Sequence, residues 1–277
     1  MSERFGYLHS LCWFDRVVAA ATSVSFNAEG RQTDSRRWWS SVLFTKFTTS
    51  CVSLLVLLPF NRFVISKFQH WDSSTAVSLT RNLIETYLLF FYFVVDDISE
   101  TEWRCRLTLV QLHDCCSRTN MFKELNLEYE QLKVFSEQQE ELRESLRNNE
   151  FFKSLDRKKQ KTLLRGKTIY HLTRDDLLAR INIPRSIYRG WYRFFSQHVH
   201  SLPMSFYRMG DGDQGRGLES EFERGTTKTA IEIATPFIAR ATIEMIRLFP
   251  DTEAAVSRRG LRAVKRFAKS LVRGKAV

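Results

Sequence analysis

An arginine and two histidines lie close together in the segment Arg193–His200, which reads RFFSQHVH. The spacings are R-x4-H from Arg193 to His198 and R-x6-H from Arg193 to His200. On a helix, such an arginine can hold a phosphodiester while a histidine moves a proton to or from the attacking 2′-hydroxyl or the leaving oxygen. That chemistry needs no metal ion. The pattern predicts Arg193 as the phosphate ligand and His198 as the proton-transfer residue, with His200 as the alternative. The competing interpretation is that all three are ordinary helix residues, with His200 near a helix C-terminus where a cation is favourable.

The segment resembles the HEPN superfamily, helical proteins of bacterial toxin and phage-defence systems whose motif is an arginine followed four to six residues later by a histidine. The resemblance covers this one helix and the helical character of the chain. It implies a metal-independent ribonuclease that works as a dimer, in the role of a toxin or defence effector. The family usually has a polar residue directly after the arginine, where this chain has Phe194. That departure bears on catalysis more than on the fold.

Four further ionisable residues interrupt apolar helical patterns: Arg81, Glu85, His113 and Arg118. Ionisable groups on such helices are rarely left unpaired. Across a pocket from the arginine–histidine segment, Glu85 would orient a histidine and Arg81 would bind phosphate. The favoured interpretation is structural: Arg81 and Glu85 are four residues apart and can form a salt bridge that fixes helix register.

The elements that must position these residues are predicted to be helices. Glycine (11) and proline (5) are scarce, and no segment alternates cleanly between apolar and polar residues. Ser78–Val95 is the most apolar run and is predicted to be the central helix of the core. We expect an all-α fold with one domain over residues 1–277, with core helices at about 10–120 and 173–250. A charged helical projection at about 121–170 and a basic C-terminal helix at about 252–273 complete it.

The net charge of +11 favours anionic partners, and the basic residues are concentrated in two segments. These segments predict a nucleic-acid-binding set consisting of Lys158, Lys159, Lys161, Arg165, Arg258, Arg262, Lys265, Arg266 and Lys269. RNA is the favoured ligand, and binding would weaken steeply with salt. The alternatives are that both segments form solvated faces, or that the C-terminal helix lies on an acidic membrane or packs on the bundle.

A helix-turn-helix at residues 175–189 is a further candidate. It lacks the turn glycine, since Ile183 stands in that position, and its second helix is richer in aromatic residues than a groove-reading helix needs. Phosphate-binding glycine loops, metalloprotease motifs and nucleophile elbows are absent from the sequence, so no cofactor and no metal are predicted.

Cellular location and partners follow from weaker signals. The five cysteines include no C-x-x-C pair, which favours a reducing, cytoplasmic location. The uncharged runs Phe47–Phe60 and Thr86–Val95 have 14 and ten residues, short of the roughly 20 that a membrane span needs.

The arginine–histidine segment and the two basic segments together predict RNA binding, with RNA cleavage as the candidate activity. We also expect a homo-oligomer or a protein partner. The alternatives are a non-enzymatic helical scaffold that binds nucleic acid or a partner, and, less favoured, a membrane-active effector.

Overall fold

A computed structural model describes residues 2–126, 131–210, 212 and 214–270, and every regular element within them is helical, which confirms the predicted all-α class. In chain order the α-helices are α1 (Ser2–Asn27), α2 (Ser35–Leu57), α3 (Ser73–Phe90), α4 (Glu100–Glu124), α5 (Gln131–Asn148), α6 (Glu150–Ser154), α7 (Arg157–Leu163), α8 (Arg174–Arg180), α9 (Arg185–Val199), α10 (Pro203–Phe206), α11 (Glu221–Leu248) and α12 (Arg258–Ala268). A π-helical turn, Phe91–Val95, follows α3, and 3₁₀ turns lie at Tyr207–Gly210 and Pro250–Ala255.

The chain divides into two compact units. The first consists of Met1–Val95 and Leu178–Val277, and the second consists of Asp96–Leu177. The second unit therefore contains α4, which the sequence assigns to the core, together with the helices of the predicted charged projection. The single domain over residues 1–277 stays a prediction.

Helix α11 forms the centre of the first unit, because it packs against α1, α2, α3 and α12. Its residues from Ala230 to Ala241 are buried on almost every side, and the helix continues through Pro236. The apolar run Ser78–Val95 lies in α3 and the π-helical turn, and α3 packs on α2, α9 and α11. The sequence correctly predicts that this run is buried, but the helix with most neighbours is α11.

The first turns of α3 and α11 are held by side-chain caps. Asp72 accepts a hydrogen bond from the backbone N–H of Thr75 at 2.9 Å and caps α3. Ser220 accepts from the backbone N–H of Glu223 at 3.1 Å and starts α11. Each cap pairs an N–H that the helix itself leaves without a partner. Both capped turns line the cavity described below.

The second unit has its own apolar core, which α4 forms with α5, α6 and α7. The core consists of Cys105, Leu109, Leu112, Cys116, Leu146, Phe152 and Leu163. Gly166 has a φ of +66°, and a Cβ atom there would lie 2.5 Å from the sulfur of Cys116. Only glycine fits this turn without a rearrangement.

A buried ionic cluster lies at the start of α4. Arg106 is fully buried, donates a 2.7 Å hydrogen bond to Asp96 and also pairs with Glu102. His171 is buried as well, and its Nε2 lies 3.4 Å from the Glu102 carboxylate. The arginine thus has two carboxylate partners inside the protein, as a buried charge requires.

Two predicted helices differ in their bounds from the structure. The expected start of the charged helix, Leu127–Glu130, lies outside the described residues, and the remainder is α5. The basic C-terminal helix begins at Arg258, because Ser257 accepts from the backbone N–H of Gly260 and Pro250–Ala255 forms a 3₁₀ turn.

Among the described helices, α2 is long and apolar enough to cross a membrane, and 44 % of its apolar window is buried within the structure. Core helices of soluble proteins share these properties, so the length and composition of α2 do not distinguish a membrane-spanning helix from a buried core helix.

Candidate functional site

Helix α9 carries the predicted catalytic residues on two different faces. Its buried stripe consists of Tyr188, Phe195 and His198, which recur at about the helical period. Its exposed stripe consists of Arg185, Arg189, Tyr192 and Arg193, and the exposed C-cap residue His200 extends that stripe beyond the helix. The helix packs on α3, and Trp191 makes an edge contact with Phe237 of α11. The packing therefore decides which histidine meets solvent.

The structure separates Arg193 from His198. Five residues correspond to about 500° of helical rotation, which leaves the two side chains about 140° apart. Arg193 is exposed, whereas His198 is 7 % exposed. Seven residues correspond to about 700°, so Arg193 and His200 lie within about 20° of each other and share the exposed stripe. The R-x6-H pair, and not the R-x4-H pair, is the one brought to a common face.

Arg81 of α3 joins that face. Its Nη2 donates a 2.7 Å hydrogen bond to the hydroxyl of Tyr192, and its guanidinium carbon lies 4.5 Å from the centre of the Tyr192 ring. Its Nη1 lies 3.5 Å from Nε2 of His200. We call Arg81, Tyr192, Arg193 and His200 the α9 surface. It combines two guanidinium groups, an imidazole and an aromatic ring in contact with solvent.

The predicted salt bridge between Arg81 and Glu85 is replaced by contacts to α9. Glu85 accepts a 3.0 Å hydrogen bond from the hydroxyl of Tyr188, while Arg81 contacts Tyr192 and His200. Both side chains extend from the same face of α3 and contact α9. Hydrogen bonds to two tyrosines of α9 are therefore found where the sequence predicts an ion pair within α3. Glu85 does not orient either histidine through a contact described here.

His198 belongs to a polar cavity at the other face of α9. Its Nδ1 lies 3.0 Å from the hydroxyl oxygen of Ser74, at the start of α3. Burial lowers the pKa of His198, and the carboxylates of Glu223 and Asp72 oppose that shift. Glu223 is 1 % exposed, and its two oxygens accept backbone N–H groups of Ser73 at 3.1 Å and Gly215 at 2.8 Å.

The other predicted supporting residues, His113 and Arg118, belong to the second unit. Arg118 is exposed and pairs with Asp114 one helical turn earlier. His113 is half-buried on α4.

The predicted nucleic-acid-binding residues are largely exposed. Lys158, Lys161 and Arg165 of the second unit meet solvent, and Lys159 is half-buried. In the first unit, Arg258, Arg262, Lys265, Arg266 and Lys269 are all exposed. Lys265 lies 3.2 Å from Glu253, and the Arg266 guanidinium stacks 4.9 Å from the Trp13 ring centre. Lys265 and Arg266 are therefore partly occupied by contacts within the protein. The charges of Arg258, Arg262 and Lys269 remain available to a ligand.

The sequence patterns predict no site role for Tyr192, Ser74, Trp71 or Glu223. Tyr192 had a usable signal, since it stands beside Arg193 and one exposed helical stripe contains both. Ser74 and Glu223 had none, because they reach His198 from distant parts of the chain through tertiary packing. Within the part of the chain that the structure describes, no group of three or more His, Cys, Asp or Glu side chains forms a candidate metal site.

The sequence matches the family of unknown function DUF5677 over residues 37–217, about two-thirds of the chain. The match includes α9, Arg81 and the α9 surface, and it ends before α11. Comparisons with curated proteins and with solved structures find no match.

Proposed function

We propose that this chain, which belongs to the family of unknown function DUF5677, binds RNA at the α9 surface and cleaves it without a metal ion. The observation that carries this function is the contact of Arg81 with both the imidazole of His200 and the ring of Tyr192 on an exposed face. A cation, a proton-transfer group and an aromatic ring are the three components that such a site needs.

Each residue then has a defined role. Arg81 and Arg193 hold the phosphate and stabilise the charge that develops on its oxygens. Arg81 exchanges its contact with His200 for one with the phosphate, which frees Nε2 to accept the 2′-hydroxyl proton. The 2′-oxygen attacks phosphorus, the bond to the 5′-oxygen breaks, and the leaving oxygen takes a proton from water or from His200 of a second copy. The products are a 2′,3′-cyclic phosphate and a 5′-hydroxyl.

His200 replaces His198 as the favoured proton-transfer residue in this proposal, since the His198 ring is buried and faces away from Arg193. Tyr192 offers a ring on which an unpaired base stacks. The role as a toxin or phage-defence effector and the cytoplasmic location rest on the sequence patterns alone and form part of the proposal.

Cleavage of labelled single-stranded RNA in the presence of EDTA tests the proposal. We expect His200→Ala to lower the cleavage rate at least about 100-fold with binding retained, since proton transfer contributes that much. Arg81→Ala and Arg193→Ala should each weaken binding about tenfold, the loss of one charge-assisted contact. The matched controls are exposed residues that do not belong to the α9 surface, His9→Ala and Arg104→Ala.

Equal cleavage by the wild type and His200→Ala would contradict this assignment, as would undiminished cleavage of a strand whose 2′-hydroxyl groups are all removed. A non-enzymatic scaffold is the second candidate, favoured by the exposed cations of α12 and of residues 158–165. Salt-sensitive binding without cleavage would select it. Vesicle leakage caused by the purified protein would select the membrane-active alternative, for which the apolar helix α2 is the candidate element.

A further inference from the structure

The segment between α2 and α3 presents large apolar side chains to solvent. Four of them are exposed within six residues: Phe63, Val64, Ile65 and Phe68. Ile65 is fully exposed, so no described residue covers it. Single exposed apolar residues are ordinary on protein surfaces, whereas a cluster of them marks a site of interaction. We call residues 63–68 the apolar loop.

Side-chain hydrogen bonds hold the backbone on both sides of the apolar loop. The side-chain oxygen of Asn61 accepts from the backbone N–H groups of Phe63 at 2.8 Å and Val64 at 3.0 Å. At the other end, Oε1 of Gln69 accepts from the backbone N–H of Phe60 at 2.6 Å. Asn61 and Gln69 thus bond the backbone, and the apolar side chains between them face solvent. The loop therefore presents these side chains together to a binding partner.

The outward face of α2 continues this apolar surface. A groove of about 980 Å³ lies between α1 and α2. One helical stripe of α2 lines it and consists of Trp38, Val42, Thr45, Thr49, Val52, Ser53 and Val56. The hydroxyls of Thr49 and Ser53 donate to backbone oxygens four residues earlier, so these positions make little demand on water. Asn61 donates to the backbone oxygen of Val56 at 2.9 Å, which places the apolar loop beside the end of the stripe.

The charges near this surface select its partner. Residues 35–71 contain no acidic residue and five basic ones, Arg36, Arg37, Lys46, Arg62 and Lys67. Lys46 and Lys67 have no ion-pair partner among the described residues. A second copy bound to the same face by a two-fold axis would bring cations against cations, which disfavours self-association. Apolar side chains beside cations instead match an anionic bilayer, in which hydrocarbon lies below negatively charged headgroups.

We propose that the apolar loop and the outward face of α2 bind an anionic membrane surface. The side chains of the loop enter the boundary between headgroups and acyl chains, while Lys46 and Lys67 contact lipid phosphates. The exposed Trp38, at the other end of the stripe, suits the headgroup level, where tryptophan is enriched in membrane proteins. Helix α2 lies on the bilayer and does not cross it, because its opposite face packs against α1 and α3. This membrane contact does not depend on RNA binding or cleavage.

Flotation of the full-length protein with lipid vesicles tests this proposal. We expect binding to phosphatidylcholine vesicles that contain about 30 % phosphatidylserine, and weaker binding to vesicles of phosphatidylcholine alone. Salt at about 0.5 M should weaken the binding, since it screens the attraction between the lysines and the headgroups. A dye enclosed in the vesicles should stay inside, because no helix crosses the bilayer. Equal binding to both kinds of vesicle, or release of the dye, would overturn the proposal.

Ile65→Ser with Phe68→Ser is the principal variant. Both side chains are exposed, so the free energy of unfolding in urea should equal that of the wild type. We expect the double variant to weaken vesicle binding about 100-fold, because burial of one large apolar side chain corresponds to a factor of about ten. Val134→Ser, at an exposed apolar residue of α5, is the matched control and should leave vesicle binding unchanged.

Lys67→Gln tests the contribution of charge. It should weaken binding to the vesicles with phosphatidylserine about fivefold, the contribution of one lysine near an anionic surface, and leave binding to phosphatidylcholine unchanged. Lys123→Gln, at an exposed lysine of α4, is its control.

Two results would overturn the membrane contact outright. The first is vesicle binding by Ile65→Ser with Phe68→Ser that equals binding by the wild type. The second is the absence of vesicle binding by the wild type. Concentration-dependent dimerisation that the double variant abolishes would in that case assign the apolar loop to a second copy of the chain.

Discussion

Burial of His198 makes the stability of the protein depend on pH in the mildly acidic range. Burial lowers the pKa of His198 below its ordinary value of 6.5, against the opposing carboxylates of Glu223 and Asp72. His70 is the other histidine of the cavity. Below pH 6.5 the unfolded chain takes up a proton at this position that the folded chain resists. The free energy of unfolding should therefore fall as the pH decreases from 6.5 towards the folded pKa, and stay constant above about pH 7.5 on account of this residue.

His198→Gln removes that dependence. We expect the wild type to lose more stability than this variant between pH 7 and pH 5.5 in urea denaturation, because only the wild type carries the imidazole whose pKa burial lowers. His9→Gln, at an exposed histidine of α1, should behave as the wild type does. Identical pH profiles for the wild type and His198→Gln would show that the imidazole is not the origin of the effect.

Residue types and spacing predicted the segment of α9 on which the proposed site rests, but not how its histidines divide between the exposed and the buried face. A motif counted along the chain ignores that the helix turns by about 100° per residue. That turn sends Arg193 and His200 outward and His198 inward. The partners of His198 could not be predicted at all, since Ser74 is 124 positions away and the contact depends on how α3 and α9 pack.

At the scale of elements, local signals predicted helices well and their caps less well. Ser99 accepts a hydrogen bond from the backbone N–H of Glu102 and caps α4, in a sequence that has the serine and glutamate spacing of a capping box. The cap of α3 is Asp72 and not the serines that follow it, because a carboxylate one residue earlier reaches the same N–H groups. No sequence pattern predicted the central position of α11, because the helix begins with polar residues and only its middle is buried on almost every side.

The buried cluster around Arg106 should hold the beginning of α4 in place. Removing one partner of a buried ion pair leaves an uncompensated charge and costs about 3 to 5 kcal/mol. Arg106→Met should therefore lower the free energy of unfolding of the second unit by that amount, and accelerate amide hydrogen exchange in the first turns of α4. The carboxylates left behind are those of Asp96 and Glu102.

Arg104→Met is the matched control for this cluster. Arg104 pairs with Glu100 on the same helix, but both side chains are exposed. Exposed pairs contribute at most about 1 kcal/mol, so this variant should be nearly neutral. Similar small losses for both variants would indicate that the Arg106 cluster is not a stabilising feature of α4.

At the scale of the whole molecule, the excess of positive charge predicts how RNA affinity responds to salt. Each phosphate neutralised by a cation contributes about −0.7 to the slope of log K against log salt for a single strand. Arg258 and Arg262 of α12 are exposed and make no described ion pair, so both are available to phosphates outside the α9 surface. We expect Arg258→Gln with Arg262→Gln to reduce the magnitude of the slope by about 1.4.

The double variant of Arg258 and Arg262 should weaken RNA binding equally for strands of different sequence, because phosphate contacts carry no base information. It should also leave the cleavage rate at saturating RNA unchanged, since α12 supplies no proton-transfer group. Lys46→Gln, at an exposed cation of α2, is the control for a general loss of charge. It should reduce the magnitude of the slope less than the double variant does. A slope unaffected by the double variant would restrict RNA binding to the α9 surface, whereas a loss of cleavage at saturation would extend the catalytic site to α12.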